Sequence, residues 1–361
     1  MRVEHLWLSD YRSYSSVDLE LPSGLTAVLG RNGQGKTNLL EAVGWLATMA
    51  SFRGAPTDAL VHRDAERAIV RAIVDDAGRS TRIEAELARN GRNRVLVNGS
   101  RPARSRDLLG HLRVTVFTPD DLALVKGGPA ERRRLLDDAL VALSVRNDRV
   151  RADYERVLKH RNALLKQLGG RLSPDAAATL EVWDAKLADA GDRLGDARAE
   201  LVARLTPQLQ TAYVTLAPQT ADVSVAYDAP WREQGLAVAL SAARTEELRR
   251  GQTLVGPHRD DLVLAIDGLS ARTHRSQGEQ RSLALALRLA AHREIEATTG
   301  STPVLLLDDV FSELDEFRSA ALLGSLPAVQ TLLTSASGLP AGIRPEMVVD
   351  IDGGIARARP H

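Results

Sequence analysis

An eight-residue motif near the amino terminus constrains the fold of this chain more than any other feature. Residues 30–37 read Gly-Arg-Asn-Gly-Gln-Gly-Lys-Thr, the G-x-x-x-x-G-K-[ST] pattern of a phosphate-binding loop. An apolar run, Leu25 to Leu29, precedes the loop, and a helical pattern, Asn38 to Met49, follows it. This order predicts a buried strand that delivers the loop to the amino terminus of a helix, as in α/β nucleotide-binding folds.

The residue types in the loop suit a bound nucleotide. Backbone N–H groups of such a loop converge on the β-phosphate, and its glycines leave space for the phosphate. We expect Lys36 to reach the β- and γ-phosphate oxygens and the Thr37 hydroxyl to ligate Mg²⁺. The predicted nucleotide-binding residues are Gly30, Arg31, Asn32, Gly33, Gln34, Gly35, Lys36, Thr37 and Asn38.

Composition excludes several other kinds of chemistry. The 361 residues include no cysteine, which rules out disulfides, thiol catalysis and cysteine-ligated metal. The formal net charge is +0, so a nucleic-acid site would have to be a local basic patch. The amino terminus lacks a signal-peptide pattern, and no apolar run approaches the ~20 residues needed to span a bilayer. We therefore expect a cytoplasmic protein without a membrane partner.

The order of strand and helix patterns predicts an α/β head interrupted by a helical lobe. Residues 68–97 alternate as short strands separated by turns at 76–78 and 90–91, which indicates an antiparallel meander. Residues 130–168 and 174–206 are helical and form an antiparallel hairpin, either a projecting coiled coil or two amphipathic helices on a core. The predicted domains are 1–125, the first part of the head; 126–220, the helical hairpin lobe; and 221–361, the second part of the head.

The phosphate loop alone does not distinguish kinases, GTPases and ATPases. An acidic segment later in the chain narrows this choice. Val304 to Leu307 is a continuous apolar run typical of a central parallel strand, and two acids follow it. Asp308 is placed to hold the Mg²⁺ shared with Thr37, and Asp309 to serve as the catalytic base or to orient water. Neighbouring acids at a strand end are costly unless a cation lies between them.

The segment Ser276-Gln277-Gly278-Glu279-Gln280 precedes a helical pattern and the acidic strand. It resembles the S-G-G-Q signature of ATP-binding-cassette (ABC) ATPases, in which the serine and the helix amino terminus grip the γ-phosphate of ATP held by the opposite protomer. Residues Ser312, Glu313, Leu314 and Asp315 resemble the loop through which such dimers touch. Transporter ATPases usually carry a histidine where this chain has Thr334-Ser335. They also carry a glutamine-bearing loop after the first lobe, and residues 114–121 of this chain contain no glutamine. Both departures argue against a transporter motor.

Together these motifs resemble the RecF family, bacterial recombination and gap-repair ATPases related to the heads of SMC and Rad50 proteins. The resemblance covers essentially the whole chain. Its most specific segments are Lys126-Gly127-Gly128-Pro129 and Gly256-Pro257-His258-Arg259-Asp260-Asp261. Others are Leu8 to Tyr14 and Phe117 to Leu122.

The resemblance implies an ABC-type ATPase head with ATP and Mg²⁺ as cofactors. It also implies a homodimer that forms around ATP, hydrolyses it slowly, and binds double-stranded DNA and single-strand/double-strand junctions. The resemblance further implies that the protein works with RecR and RecO to load RecA. It also implies a role in gap repair, replication restart and SOS induction. Alternatives are a coupling ATPase of a transporter or of another SMC-like machine, and a small-molecule kinase. The 238 residues between the phosphate loop and Ser276 exceed the spacing between loop and signature in transporter ATPases, and a kinase has no use for the signature.

The residues themselves indicate two candidate surfaces for DNA. Eight arginines lie between Arg79 and Arg106, against Glu84 and Glu86, and asparagines and glycines are interleaved among them. Within this segment we assign tentative phosphate contacts to Arg92, Arg94, Arg101 and Arg104. The basic helix of residues 146–171 is the other candidate, although its charge could instead complement the acidic second helix of the hairpin.

Overall fold

The computed structural model describes residues 1–217, 219–336, 338–340 and 342–360. Its strands are β1 (Arg2–Tyr11), β2 (Tyr14–Glu20), β3 (Leu25–Leu29), β4 (Arg67–Asp76), β5 (Arg79–Ala88), β6 (Arg94–Val97), β7 (Val114–Phe117), β8 (Val223–Asp228), β9 (Asp261–Ile266), β10 (Leu269–Ser270), β11 (Val304–Asp308), β12 (Thr331–Ser335), β13 (Met347–Asp352) and β14 (Ile355–Pro360). Its α-helices are α1 (Lys36–Thr48), α2 (Ala123–Lys126), α3 (Pro129–Leu143), α4 (Val145–Leu168), α5 (Pro174–Leu216), α6 (Leu236–Arg250), α7 (Ala271–His274), α8 (Gln277–Thr299) and α9 (Glu316–Ser325).

Two sheets enclose the helix that follows the phosphate loop. The six-stranded sheet has the order β14-β13-β3-β12-β11-β7, parallel except for the edge strand β14. The five-stranded sheet, β2-β1-β4-β5-β6, is the predicted antiparallel meander with β1 and β2 added. Ten of the 13 residues of α1 are buried, because α1 packs in a core that both sheets share. The predicted α/β class with an antiparallel amino-terminal sheet is confirmed.

The parallel strands explain how distant motifs meet. β11 is buried along its whole length, as its apolar run predicts, and it pairs with β12 and β7. β12 in turn pairs with β3, the strand that leads into the phosphate loop. Because carboxyl ends of parallel strands lie at one edge of a sheet, the loop, Asp308 and the end of β12 emerge together.

The chain divides into two compact units. The first comprises residues 1–122, 211–220 and 277–361, and the second comprises residues 123–210 and 221–276. This division differs from the predicted 126–220 and 221–361, because the strands β8, β9 and β10 and the helix α6 belong with the helical segments. One contact responsible is the ion pair between Arg132 of α3 and Asp261 of β9, with an Nε–Oδ1 distance of 2.6 Å.

The helical segments after residue 128 differ from the expectation in three ways. The first helical stretch is interrupted at Ser144, whose extended backbone separates α3 from α4. The second helix continues ten residues beyond the predicted end, to Leu216. The helix α6 was not predicted; it lies within residues 221–361, the range expected to be the second part of the head. Among the described residues, no helix combines the length and the apolar character needed to cross a bilayer.

Arg161 is a charged residue among the buried residues of α4, and its contacts explain how it is accommodated. Its side chain is fully buried and donates to Asp184 of α5 and Glu247 of α6, each at 2.7 Å, and to Thr253 at 2.8 Å. Arg244 donates to the other Asp184 oxygen at 2.9 Å. Two cations therefore face two anions inside the second unit, and a buried charge needs such partners.

Candidate nucleotide-binding site

The phosphate loop leads directly into α1. Gly35 occupies the N-cap position with φ 112°, and a Cβ there would lie 2.5 Å from Ser13 Oγ, so only glycine fits. Lys36 is buried, and its Nζ donates to the carbonyl oxygens of Gly30 at 2.7 Å and Arg31 at 3.0 Å. Burial lowers the pKa of Lys36, and the negative fields of Asp309 and Asp308 oppose that shift. The lysine ammonium therefore lies inside the loop, where an anion would compensate its lost hydration.

The acidic strand end lies beside the loop, as predicted. Thr37 Oγ1 donates to Asp308 Oδ1 at 2.8 Å, although the two residues are 271 positions apart. Burial raises the pKa of Asp308, against the hydrogen bonds that Thr37 and Thr334 donate to its carboxylate. A hydroxyl and a carboxylate in contact are the oxygen ligands that Mg²⁺ uses alongside nucleotide phosphates.

Thr334, which stands where transporter ATPases usually carry a histidine, makes a contact with the two acids that the sequence did not predict. Its Oγ1 donates to Asp308 Oδ1 at 2.8 Å and accepts from the backbone N–H of Asp309 at 2.9 Å. The sequence indicated only its position, because the contact depends on the register that sets Asp308 beside Thr334. The adjacent Ser335 points elsewhere, and its Oγ donates to the carbonyl of Gly338 at 2.5 Å.

Asp309 has an unusual backbone conformation. Its φ of 50° is in the left-handed region, which costs a non-glycine residue of this kind about 1 kcal/mol or more. Its amide is held by Thr334, and the residue is half-buried at the start of the turn of residues 310–313. Strained conformations of this kind cluster at active sites, where the surrounding structure maintains them.

A second cation, Arg53, was also missed in the sequence. Its side chain is exposed and lies 3.4 Å from Asn38 Oδ1, and its positive field lowers the pKa of Asp308. Nearby, Arg12 makes two hydrogen bonds of 2.8 Å to Glu41, a fully buried acid of α1. Arg12 thus neutralises the buried charge of the phosphate-loop helix, while Arg53 remains at its surface.

The signature segment adopts the predicted local structure. Ser276 is exposed and immediately precedes α8, which begins at Gln277 as expected. Gly278 is covered by Arg318, whose Nη2 would lie 2.6 Å from a Cβ at that position. Gln280 is buried, and Glu279 is half-buried. The division between the two units falls between Ser276 and Gln277.

The predicted dimer loop lies next to the start of α8. Arg281 of α8 donates to the Glu313 carbonyl at 2.5 Å and forms an ion pair with the Glu313 carboxylate. Ser312, Glu313 and Asp315 are exposed, Leu314 is half-buried, and Phe317 at the start of α9 is 50% exposed. The structure thus brings the dimer loop and the signature helix together on one surface of the first unit.

The arginines of the meander differ in the groups that their side chains contact. Glu84 and Glu86 are already paired, with Arg71 and Arg67 respectively. Arg89 donates to three backbone carbonyls of residues 62–65. The four predicted contacts, Arg92, Arg94, Arg101 and Arg104, are exposed, and within the described part of the chain their side chains contact no acidic group. In α4, by contrast, Arg151, Arg156 and Arg161 are all bound to acids.

The two most specific sequence segments form one polar cluster in the second unit. Arg132, just after the Lys126–Pro129 segment, donates to the Gly127 carbonyl and, through two nitrogens, to Asp261. Asp260 is buried and accepts from Trp231 Nε1 at 2.7 Å and from the Tyr227 hydroxyl. These segments therefore fix the structure of that unit, and Arg259 stays exposed.

No group of three or more His, Cys, Asp or Glu side chains poised for a metal occurs in the described ranges. A magnesium site at Thr37 and Asp308 fits this finding, because Mg²⁺ in nucleotide sites takes one or two protein oxygens and fills its shell with phosphates and water.

Comparison with known proteins identifies the family. Residues 2–334 match the family model described as RecF/RecN/SMC N terminal domain. The chain is 47% identical over 365 residues to the DNA replication and repair protein RecF of Streptomyces avermitilis, an alignment that covers 95% of this chain and 97% of the relative. It is 44% identical to the RecF protein of Frankia alni, with 99% and 100% covered. The chain belongs to the RecF family.

Solved structures agree with this assignment and with the predicted fold. A structure described as the recombination mediator protein RecF with ATP in the RecFOR pathway superposes with a TM-score of 0.91 at 30% identity, covering 99% of this chain and 97% of that one. An Smc head bound to the C-winged helix domain of ScpA matches with a TM-score of 0.57 at 16% identity, a likeness of fold alone. Membership of the RecF family and the ABC-type head, both expected from the sequence, are confirmed.

Proposed function

We propose that this protein is an ATP-dependent DNA-binding ATPase that closes as a homodimer around two ATP molecules on DNA. In this proposal it hydrolyses ATP slowly and works with RecR and RecO to load RecA at gaps, in recombinational repair, replication restart and SOS induction. The RecF relatives are described as DNA replication and repair proteins, and a similar RecF structure contains ATP. Those descriptions support the pathway and the ligand.

The observation that carries the ATPase proposal is the hydrogen-bond chain from Thr37 through Asp308 and Thr334 to Asp309. It connects the phosphate loop to both acids, with successive distances of 2.8, 2.8 and 2.9 Å. Phosphoryl transfer requires positioned charge more than covalent chemistry, so a fixed array of this kind is the main requirement.

The roles follow from the chemistry of each group. The amides of residues 30–37 and Lys36 bind the phosphates, and Thr37 and Asp308 hold Mg²⁺, which neutralises charge on the β- and γ-phosphates when bound. Asp309 orients the attacking water and accepts its proton. Ser276 and the start of α8 contact the γ-phosphate of the partner protomer's nucleotide, and the loop of residues 312–315 forms part of the dimer contact.

The DNA contact is proposed at the meander. The side chains of its four exposed arginines have no acidic partners among the described residues, whereas the neighbouring acids Glu84 and Glu86 are already paired. Arginine side chains free of carboxylates bind backbone phosphates without reading sequence. Two such patches, brought together by the dimer, would bind duplex DNA and junctions.

The test compares the wild-type protein with Lys36→Met by gel filtration and DNA mobility shift, each with and without ATP and Mg²⁺. We expect ATP to convert the wild type to a dimer that binds DNA, and the variant to stay monomeric and unbound. Lys186→Met, the same change on an exposed lysine of the second unit, is the matched control and should behave as wild type. Wild-type protein that neither binds ATP nor dimerises with it would refute the proposal.

A further inference from the structure

The last two strands of the chain contact the phosphate loop directly. β13 pairs in parallel with β3, with Asp350 opposite Leu29, so it ends beside the point where the loop begins. The turn between β13 and β14 contains Gly353 and Gly354. The side chain of Gln34, in the middle of the loop, accepts a hydrogen bond from the Gly353 N–H at 2.7 Å, across 319 positions of sequence.

The backbones of the three segments at this place are in close contact. A Cβ on Gly30 would lie 2.4 Å from the carbonyl oxygen of Ile351, at the end of β13. A Cβ on Gly354 would lie 2.2 Å from the carbonyl oxygen of Ser13, in the turn between β1 and β2. Gly354 also has φ 79°, which a side chain would strain.

The turn at Ser13 contacts the loop as well. The Tyr14 hydroxyl donates to the Gly35 carbonyl at 2.8 Å, and Asn38 Nδ2 donates to Ser13 Oγ at 3.0 Å. The phosphate loop is therefore held between two turns, and those turns touch each other at Gly354. Loop amides must converge on one phosphate, so a loop held in that shape binds with less loss of conformational freedom.

We infer that the turn of residues 352–355 is a positioning element of the nucleotide site, acting through the Gly353–Gln34 hydrogen bond and the Gly354–Ser13 contact. The inference rests on the proposed ATP binding at residues 30–37. It assigns a role in ligand affinity to the carboxyl-terminal hairpin, none of whose residues belongs to the phosphate loop, the signature or the acidic strand. If the turn is released, a smaller fraction of molecules holds the binding-competent loop, and the apparent Kd rises by the inverse of that fraction.

The experiment uses a matched pair of glycine variants. Gly354→Ala introduces a Cβ into the Ser13 contact, whereas Gly353→Ala makes the same change one residue earlier, also at positive φ, with no atom within 4 Å of the new Cβ. Both variants keep the backbone N–H at position 353. Gln34→Met removes the hydrogen-bond acceptor at nearly constant length. Arg359→Met breaks only the ion pair with Asp350 in the same hairpin.

Equilibrium ATP binding, steady-state ATPase kinetics and the melting temperature without nucleotide are measured for all four variants. We expect Gly354→Ala and Gln34→Met to bind ATP about tenfold more weakly, with KM raised and kcat at saturating ATP retained. Gly353→Ala and Arg359→Met should bind within about twofold of wild type, the scatter expected of surface changes.

Two outcomes would overturn the inference. One is wild-type ATP affinity in both Gly354→Ala and Gln34→Met. The other is equal weakening in the two glycine variants together with equal loss of melting temperature, because general strain in the hairpin would then explain the effect. Wild-type protein that binds no ATP would refute the proposed function instead, so the two failures are distinguishable.

Discussion

Thr334 offers the sharpest test at the scale of one residue, because a single hydroxyl contacts both acids. Thr334→Val removes a hydrogen bond that stabilises the Asp308 carboxylate and frees the Asp309 amide. We expect ATPase activity to fall about tenfold while ATP binding is largely retained, as with other groups that orient metal-binding carboxylates. Ser335→Ala, which alters only the bond to Gly338, should keep wild-type activity.

The same variant should change the pH dependence of the ATPase. Burial already raises the pKa of Asp308, and the Thr334 hydrogen bond opposes that shift, so removing the bond raises the pKa further. In the proposed mechanism Asp308 must be ionised to hold Mg²⁺, so activity is expected to fall as the pH drops through the pKa of Asp308. The acidic limb of the rate profile should therefore move to higher pH in Thr334→Val. An unmoved limb would show that Asp308 does not control it.

The Asp309→Asn variant should slow ATP turnover without preventing ATP binding. An amide cannot accept the proton of attacking water, so we expect kcat to fall about 100-fold or more. Asparagine tolerates the left-handed backbone that Asp309 adopts, so the turn should be preserved. ATP binding and dimerisation should remain, and gel filtration should show dimers that outlast those of the wild type. Normal turnover would place the base elsewhere and leave Asp308 to the metal.

At the scale of elements, the edge of the meander is the proposed DNA surface. Replacing Arg92, Arg94, Arg101 and Arg104 with Glu should abolish DNA binding in a mobility shift while ATP-driven dimerisation persists. These side chains are exposed, and exposed ion pairs contribute only ~0–1 kcal/mol each, so folding should be retained. The comparison variant reverses Arg149, Arg156 and Lys159 of α4. Loss of DNA binding only in the α4 variant would move the DNA surface to that helix.

The buried ionic cluster of the second unit permits a stability prediction. Arg161→Met leaves Glu247 buried without its cation, which costs about 3–5 kcal/mol in comparable cases. Adding Glu247→Gln removes the stranded charge but keeps an acceptor for the Leu254 N–H, so the double variant should recover part of the loss. Urea denaturation of the wild type and both variants measures the free energies of unfolding. A double variant less stable than Arg161→Met would contradict this account.

The sequence revealed those elements whose own residues carry the signal. The phosphate loop, the apolar strand before Asp308 and the helix after Ser276 are set by local pattern, and all three lie where predicted. The helix α6 was missed because a charged residue, Glu247, occupies its buried face. The contact of Thr334 with the two acids was not predicted for a different reason: it depends on strand register, which residues far apart in the chain determine together.

At the scale of the whole molecule, the formal charge of +0 means that affinity for DNA must come from an arrangement of patches rather than from net charge. In the proposed function, the exposed arginine cluster of a single protomer would bind DNA weakly. Once one cluster of a dimer is bound, the second cluster would bind in an intramolecular step, which raises the overall affinity. DNA binding should therefore require ATP, and the affinity should fall steeply with salt. The logarithm of the binding constant should fall against the logarithm of the salt concentration with a slope of about −0.9 for each phosphate contacted.

Ser276→Arg tests this coupling, because its bulky cation would occupy the position proposed for the partner's γ-phosphate. We expect the variant to bind ATP as a monomer with near wild-type affinity, yet neither to dimerise nor to bind DNA tightly. Thr273→Arg adds the same charge at another exposed position, three residues earlier, and should dimerise and bind DNA normally. The measurements are gel filtration with ATP and DNA affinity across a salt series. If Ser276→Arg still formed ATP-dependent dimers, the signature assignment would be wrong. If it bound DNA tightly as a monomer, the dimer would not be what gates DNA binding, since one patch would then be sufficient.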